Sequence, residues 1–331
     1  MQMPTYTPWT LWQEQEQERA ALRRGATYVG VSLILMQVMS IVIGLTMSVP
    51  MMYAVALEQT NFLRGFFVES LINIVCYLGM LLLPPLLLAR AFRRPCPVLR
   101  ERRLGAPTLV LGTTGGLALC VLANFLVSRI LMFFTSMGIT PTEGAEDVVT
   151  SDWQGLALNL FVTALLPALV EELVFRGYFL EALRPFGDRR ALWMSALLFG
   201  LIHGNMAQIP FAFILGLVFA YAAMQSGSLL LPMLIHFCNN AMAVVLAFVE
   251  QYVSAEQYNA LVLVVFGVLA LVGGVSLTVL LALRHPLIRR VDNDRSAMPA
   301  GERRRAMAAP AMIIAIVLML GITLLGVVAA Q

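Results

Sequence analysis

Residues 155–180 read GLALNLFVTALLPALVEELVFRGYFL, an apolar run whose only charged side chains are Glu171, Glu172 and Arg176. A bilayer core about 30 Å thick takes around 20 residues of helix to cross, and this run is long enough. Eight further apolar stretches lie near 27–49, 67–89, 108–134, 191–207, 209–225, 229–249, 260–283 and 311–330. The fifth and sixth of the nine are short and meet in a tight turn around Gly204 to Pro210, while Gly227 breaks the chain between the sixth and seventh. The pattern predicts an all-α, polytopic transmembrane helix bundle of about nine spans, eight if one boundary falls elsewhere.

The composition agrees. Hydrophobic residues make up 60% and charged residues 12% of the 331, with a mean hydropathy of +0.82, against about 45–50% and about 25% in soluble domains. A chain in water could not bury that much apolar surface, which excludes a soluble enzyme, a disordered chain and a secreted disulfide scaffold. The net charge of +3 gives no case for a nucleic-acid partner. All 22 basic residues are Arg, so lysine nucleophiles and Schiff bases are excluded. Cys76, Cys120 and Cys238 lie in apolar runs and Cys96 in an Arg-rich loop, without the paired spacing of a zinc or redox site.

Loop charge predicts orientation. Segments 1–26, 90–107, 181–190 and 284–306 hold 19 of the 22 Arg. The alternate segments hold Glu143, Glu146, Asp147 and Asp152, then Glu250 and Glu256, and a Glu58/Arg64 pair. Nine spans with a cytoplasmic N-terminus place every Arg-rich segment inside. The polar residues 1–26, with Glu14, Glu16 and Glu18 ahead of Arg19, Arg23 and Arg24, read as a cytoplasmic segment before a retained span, not a cleaved signal. Residues 27–135 then form N-terminal spans, and 260–331 form C-terminal spans with a cytoplasmic linker at 284–306.

Ionisable groups inside a span are expensive and mark function by default. They concentrate in three places: Glu171, Glu172 and Arg176 in the fourth span, His203 in the fifth, and His236 with Asn240 in the seventh. Glu172 and Arg176 stand four apart on one helical face and can neutralise each other. Glu171 is rotated about 100° away and has no partner on its own helix, as suits a general base held out of water. His236 and Asn240 share a face, as do Phe199 and His203. Pro167 and Pro232 each precede a polar residue by four and are expected to kink their helices beside a wet cavity. Counting the rise along each helix puts Glu171 and His236 in the cytoplasmic half, so the site should open toward the cytoplasm.

Three chemistries fit such a cluster. Glu171, His203 and His236 could supply three ligands to a catalytic Zn2+ with a fourth position for water, although no HExxH occurs. Buried Glu, His and Arg also mark proton-coupled transporters, but no second half repeats the cluster. The third is hydrolysis without a metal.

In chain order the residues spell EExxxR (Glu171, Glu172, Arg176), FxxxH (Phe199, His203) and HxxxN (His236, Asn240). This resembles the CPBP family of intramembrane endopeptidases, also called Abi, which includes the CAAX prenyl endopeptidases and bacteriocin-processing and self-immunity proteins. The resemblance covers residues 150–250, and the first three and last two spans lie outside it. It implies a glutamate-dependent endopeptidase with no cofactor. In it Glu171, assisted by His203, activates water, and His236 and Asn240 stabilise the oxyanion. Glu172 and Arg176, with Phe199, organise the site. The implied partners are the lipid bilayer and a membrane-anchored protein or peptide substrate, lipidated CAAX-type chains among them, in a bacterial plasma membrane. A non-proteolytic immunity protein on the same fold is the remaining alternative.

Overall fold

The computed structural model describes residues 8–60, 62–92, 103–138, 152–289, 291 and 299–329. Cys96, Glu143, Glu146 and Asp147, which entered the loop readings above, and part of the linker 284–306 lie outside the described residues. Among the described residues every regular element is helical.

The first helix, α1 (Pro8–Thr60), runs for 53 residues, or about 80 Å at 1.5 Å per residue. The described part of the polar N-terminal segment and the first span are therefore one continuous rod. The second span is α2 (Phe62–Tyr77), a π-helical turn (Leu78–Leu82) and α3 (Leu83–Ala91). The third is α4 (Ala106–Ser136). The fourth alternates between helix types: α5 (Trp153–Asn159), a π-helical turn (Leu160–Leu165), α6 (Leu166–Glu171), a π-helical segment (Glu172–Leu180) and α7 (Glu181–Leu183). Then come α8 (Asp188–Leu201), α9 (Gln208–Ser226), α10 (Leu230–Glu250), α11 (Ala255–Ala282), α12 (Ala300–Met307) and α13 (Pro310–Ala329).

By length and apolar composition seven of these helical stretches can cross a membrane, eight when the bent pair α12–α13 counts as one span. The protein is an integral, multi-pass membrane protein. The ninth expected span is α8, whose 14 residues reach only about 21 Å. The apolar run 191–207 did not reveal this, because Ile202, Met206 and Ala207 belong to the turn after α8 and are themselves apolar. Gly204, with φ of +68°, reverses the chain there.

Two more readings change. Pro232 does not kink a span: it stands in the first turn of α10, where its missing N–H costs nothing. The carbonyl of Ser228, four residues back, takes the Ser226 hydroxyl at 3.0 Å instead. Part of the Arg-rich linker is helical, as α12, and Glu302 holds Arg19 of α1 at 2.6 Å.

The bundle is built inside out relative to a soluble protein. Leu45, Leu263 and Leu325 are 75%, 75% and 70% exposed, as lipid-facing side chains should be, while Arg176 and Glu172 are enclosed at 1% and 0%. With hydrocarbon on the outside, helices associate through close packing and small residues more than through apolar burial. Gly30 shows this, since a methyl group there would collide with the backbone of Ala311, where α13 crosses α1. Around the polar cluster, α8 packs along α9, and α10 packs against α4, α6, α9 and the Leu160–Leu165 turn.

Candidate active site

The π-helical segment Glu172–Leu180 carries the buried ion pair. Arg176 Nη1 donates to Glu172 Oε1 at 2.9 Å, and Arg176 Nη2 donates to the carbonyl of Gly216 on α9 at 3.2 Å. That carbonyl is reachable because α9 lies so close to α8: a Cβ on Gly216 would stand 3.0 Å from Ala196 Cα. The guanidinium is sandwiched by aromatics, its Cζ 4.2 Å from the Phe199 ring centroid and 5.2 Å from that of Phe219, an arrangement worth about 2 kcal/mol when desolvated. The expected ion pair of Glu172 and Arg176 is therefore present, and Phe199 stands against it.

The same Glu172 oxygen also accepts from His236. Its Oε1 lies 2.9 Å from His236 Nδ1, which joins α10 to the fourth span. A carboxylate can only accept, so Nδ1 carries the hydrogen and neutral His236 presents a bare Nε2. That Nε2 lies 3.9 Å from Glu171 Oε2. This exceeds a direct hydrogen bond, and a water touching both atoms would sit beside the line joining them. Phe219 stacks on the imidazole, with centroids 4.9 Å apart and planes at 19°. The two neighbouring carboxylates thus address opposite nitrogens of one ring.

Glu171 has a partner that its own helix did not suggest. Tyr77, at the end of α2, donates its hydroxyl to Glu171 Oε1 at 2.8 Å. Among the described residues Arg176 makes its carboxylate bond to Glu172 and not to Glu171, as the helical rotation required.

His203 lies just past α8, not one turn inside a full span. Its Nδ1 is 2.8 Å from the Phe199 carbonyl, which fixes the same tautomer as in His236 and leaves Nε2 to accept. Phe199 is the wall between the imidazoles, with ring centroids 5.1 Å from His203 and 6.1 Å from His236. Asn240 donates its amide to the Thr163 carbonyl at 3.1 Å and accepts from Asn239 at 3.2 Å. Thr163 is four residues before Pro167, which has no N–H to offer it. The side-chain nitrogen of Asn240 carries two hydrogens, and this bond uses one.

The geometry gathers Glu171, Glu172, Arg176, Phe199 and His236 directly, and adds Tyr77, Phe219 and Gly216, which the sequence reading did not single out. His203 joins through Phe199, and Asn240 through the helix that carries His236. Among the described residues no group of three or more His, Cys, Asp or Glu side chains is placed to hold a metal ion. A cavity of about 230 Å³ borders Arg176 and is lined by Gly177, Leu180, Glu181, Arg184 and Ser228. Cys76, Cys120 and Cys238 are free thiols.

Comparison with known proteins bears on this same stretch. Residues 153–242 match the family described as type II CAAX prenyl endopeptidase Rce1-like, as the motif resemblance to the CPBP group implied. A relative from Escherichia coli, an uncharacterized 24.3 kDa protein, is 29% identical over 167 residues, covering 47% of this chain and 71% of its own length. No solved structure matches.

Proposed function

We propose that this chain, whose residues 153–242 match the type II CAAX prenyl endopeptidase Rce1-like family, is a glutamate-dependent intramembrane endopeptidase that hydrolyses a peptide bond of a membrane-anchored protein or peptide. Prenylated CAAX-type chains are within its substrate class. The observation that carries the reading is the approach of Glu171 Oε2 to His236 Nε2 at 3.9 Å, with the far side of the imidazole tied to a buried Glu172–Arg176 pair.

In this reading a water molecule lies beside Glu171 and an imidazole Nε2. Glu171 takes a proton as the water oxygen bonds to the substrate carbonyl carbon, and the C=O pair moves onto oxygen. His203, with its Nε2 free to accept, helps hold the water. The oxyanion takes the second amide hydrogen of Asn240 and a hydrogen bond from His236, whose Nε2 carries a proton taken up from solvent before the attack and returned to it after product release. The carbon–nitrogen bond then breaks and the leaving amine takes the proton held by Glu171. Every proton in this sequence moves between water, side chain and substrate, so no cofactor is invoked.

The N-terminus is proposed to be cytoplasmic. Glu302 bonds Arg19, which puts the segments 1–26 and 284–306 on one side, so α8 and α9 together return the chain to the side it entered from and the Arg-rich segments share one face. The cavity beside Arg176 runs to Glu181 and Arg184 of the Arg-rich segment 181–190, which supports entry from the cytoplasmic side of a bacterial plasma membrane.

The test is Glu171→Gln in proteoliposomes holding a quenched fluorescent peptide anchored by a farnesylated C-terminal CAAX sequence. Cleavage should disappear while folded yield is retained; turnover equal to that of the unaltered protein rejects Glu171 as the base.

A further inference from the structure

Tyr77 lies outside the matched residues 153–242, on the second span, yet its hydroxyl reaches the carboxylate on which the proposed chemistry depends, at 2.8 Å from Glu171 Oε1. We infer that Tyr77 is a positioning residue for that reaction: it pins one oxygen of Glu171 and thereby aims the other at the water. The inference rests on Glu171 being the base.

The argument starts from the carboxylate. A glutamate side chain ends in a soft, roughly two-fold torsion, so its two oxygens exchange places at little cost unless one is held. The groups around Glu171 do not hold it equally. Arg176 is committed to Glu172 and to the Gly216 carbonyl. His236 gives its hydrogen to Glu172 and turns a bare Nε2 toward Glu171 Oε2, at a separation too long for a direct bond. His203 gives its hydrogen to the Phe199 carbonyl. Only the Tyr77 hydroxyl, among the described residues, donates a side-chain hydrogen bond to Glu171. It selects Oε1 and so leaves Oε2 on the side of the imidazole.

The backbone is shaped for this contact. Tyr77 is the last residue of α2, at the entry to the π-helical turn Leu78–Leu82, and that turn packs against α6, whose last residue is Glu171. A π-helical turn shifts the register of side chains on its helix and is often found at functional sites. Positioning groups on rigid elements hold a reacting side chain within the fraction of an ångström that catalysis needs.

The test uses the full chain in proteoliposomes and reads two quantities. Infrared difference spectra against Glu171→Gln assign the Glu171 carboxylate stretches without any substrate. Turnover is read on the farnesylated peptide. In Tyr77→Phe the Glu171 bands should move, and kcat should fall about ten-fold with KM held, the scale of one hydrogen bond to a charged group. Replacing Tyr77 with 3-fluorotyrosine, whose hydroxyl is the stronger donor, should move the bands the opposite way, and this variant covers the case in which Tyr77→Phe does not fold. Tyr28→Phe is the control: it removes another tyrosine hydroxyl bond, to the Pro85 carbonyl at 3.0 Å, and should leave the Glu171 bands in place. Bands unmoved in both Tyr77 variants overturn the inference. Full turnover in Glu171→Gln instead overturns the assignment of the base, whatever Tyr77 does to the spectrum.

Discussion

Glu172 and His236, 64 residues apart in the chain, are joined by a 2.9 Å hydrogen bond from Nδ1 to Oε1. Through it the third element of the motif set is locked to the first, and the imidazole cannot rotate without breaking a buried charge-assisted bond. The lock works only because Glu172 is itself neutralised by Arg176 on the same segment, with both side chains fully enclosed. Glu172 is thus the structural centre of the cluster, and Glu171, 14% exposed, is the carboxylate left open to reactants.

Breaking that centre on one side should be costly. Arg176→Met leaves Glu172 without its cation in a poorly hydrated setting, and Glu172→Gln leaves the guanidinium without its anion; removing one partner of a buried pair costs about 3–5 kcal/mol. Each single variant should lower the melting temperature in detergent sharply. The double variant should melt above the worse of the two singles, because no unpaired charge remains. Strictly additive losses would show that the pair is not coupled.

Gly216 carries a second, backbone-level prediction. A methyl group there would stand 3.2 Å from Ala196 Cβ and 3.0 Å from its Cα, tighter than ordinary contact, so Gly216→Ala should push α9 from α8. Overpacking of this kind costs about 1–3 kcal/mol. The same shift draws the Gly216 carbonyl away from Arg176 Nη2, so activity should fall more than in an Ala substitution elsewhere on α9. Ser226→Ala serves as that comparison, and equal losses of turnover in the two variants would argue against the carbonyl contact.

Phe219 tests the aromatic support of the imidazole. It is fully buried, stacks on His236 at 4.9 Å and lies 5.2 Å from the Arg176 guanidinium. Phe219→Leu preserves apolar character and most of the volume but removes both ring interactions, together worth about 1–3 kcal/mol. The expected outcome is a lower melting temperature and a lower kcat in the peptide assay. A variant as stable and as active as the parent would mean that the stack is incidental.

Much of this cluster was legible in the sequence because it is written in helical spacing. Glu172 and Arg176, and His236 and Asn240, are pairs four apart, and the local helix puts each pair on one face. The rotation between Glu171 and Glu172 likewise foretold that only one of them would take the arginine. What spacing cannot carry is which helices touch. Tyr77 precedes Glu171 by 94 residues, in a span whose apolar pattern gives no reason to prefer it over Tyr178. Span ends were equally hidden: apolar residues continue through the turn after Leu201, so hydropathy ran on where hydrogen bonding stopped. Pro232 misled for the related reason that a proline reads the same in a first turn and in mid-helix, and only the start of α10 at Leu230 decides between them.

Asn240 is the residue whose two roles can be separated by experiment. One hydrogen of its amide closes the Thr163 carbonyl at 3.1 Å, which stands opposite the missing N–H of Pro167. The other is the proposed oxyanion donor. Hydrogen bonds between membrane helices average about 0.6 kcal/mol, so Asn240→Ala should lower stability only slightly. Loss of an oxyanion donor costs on the order of 10²–10³ in turnover, so kcat on the farnesylated peptide should collapse in the same variant. Pro167→Ala supplies the complementary reading, since it offers Thr163 a backbone N–H and should make the Asn240→Ala loss of stability smaller still, without restoring kcat. A variant at Asn240 that retains turnover, or one whose activity falls only in proportion to its folded fraction, would remove the amide from the chemistry and leave it as a helix clasp.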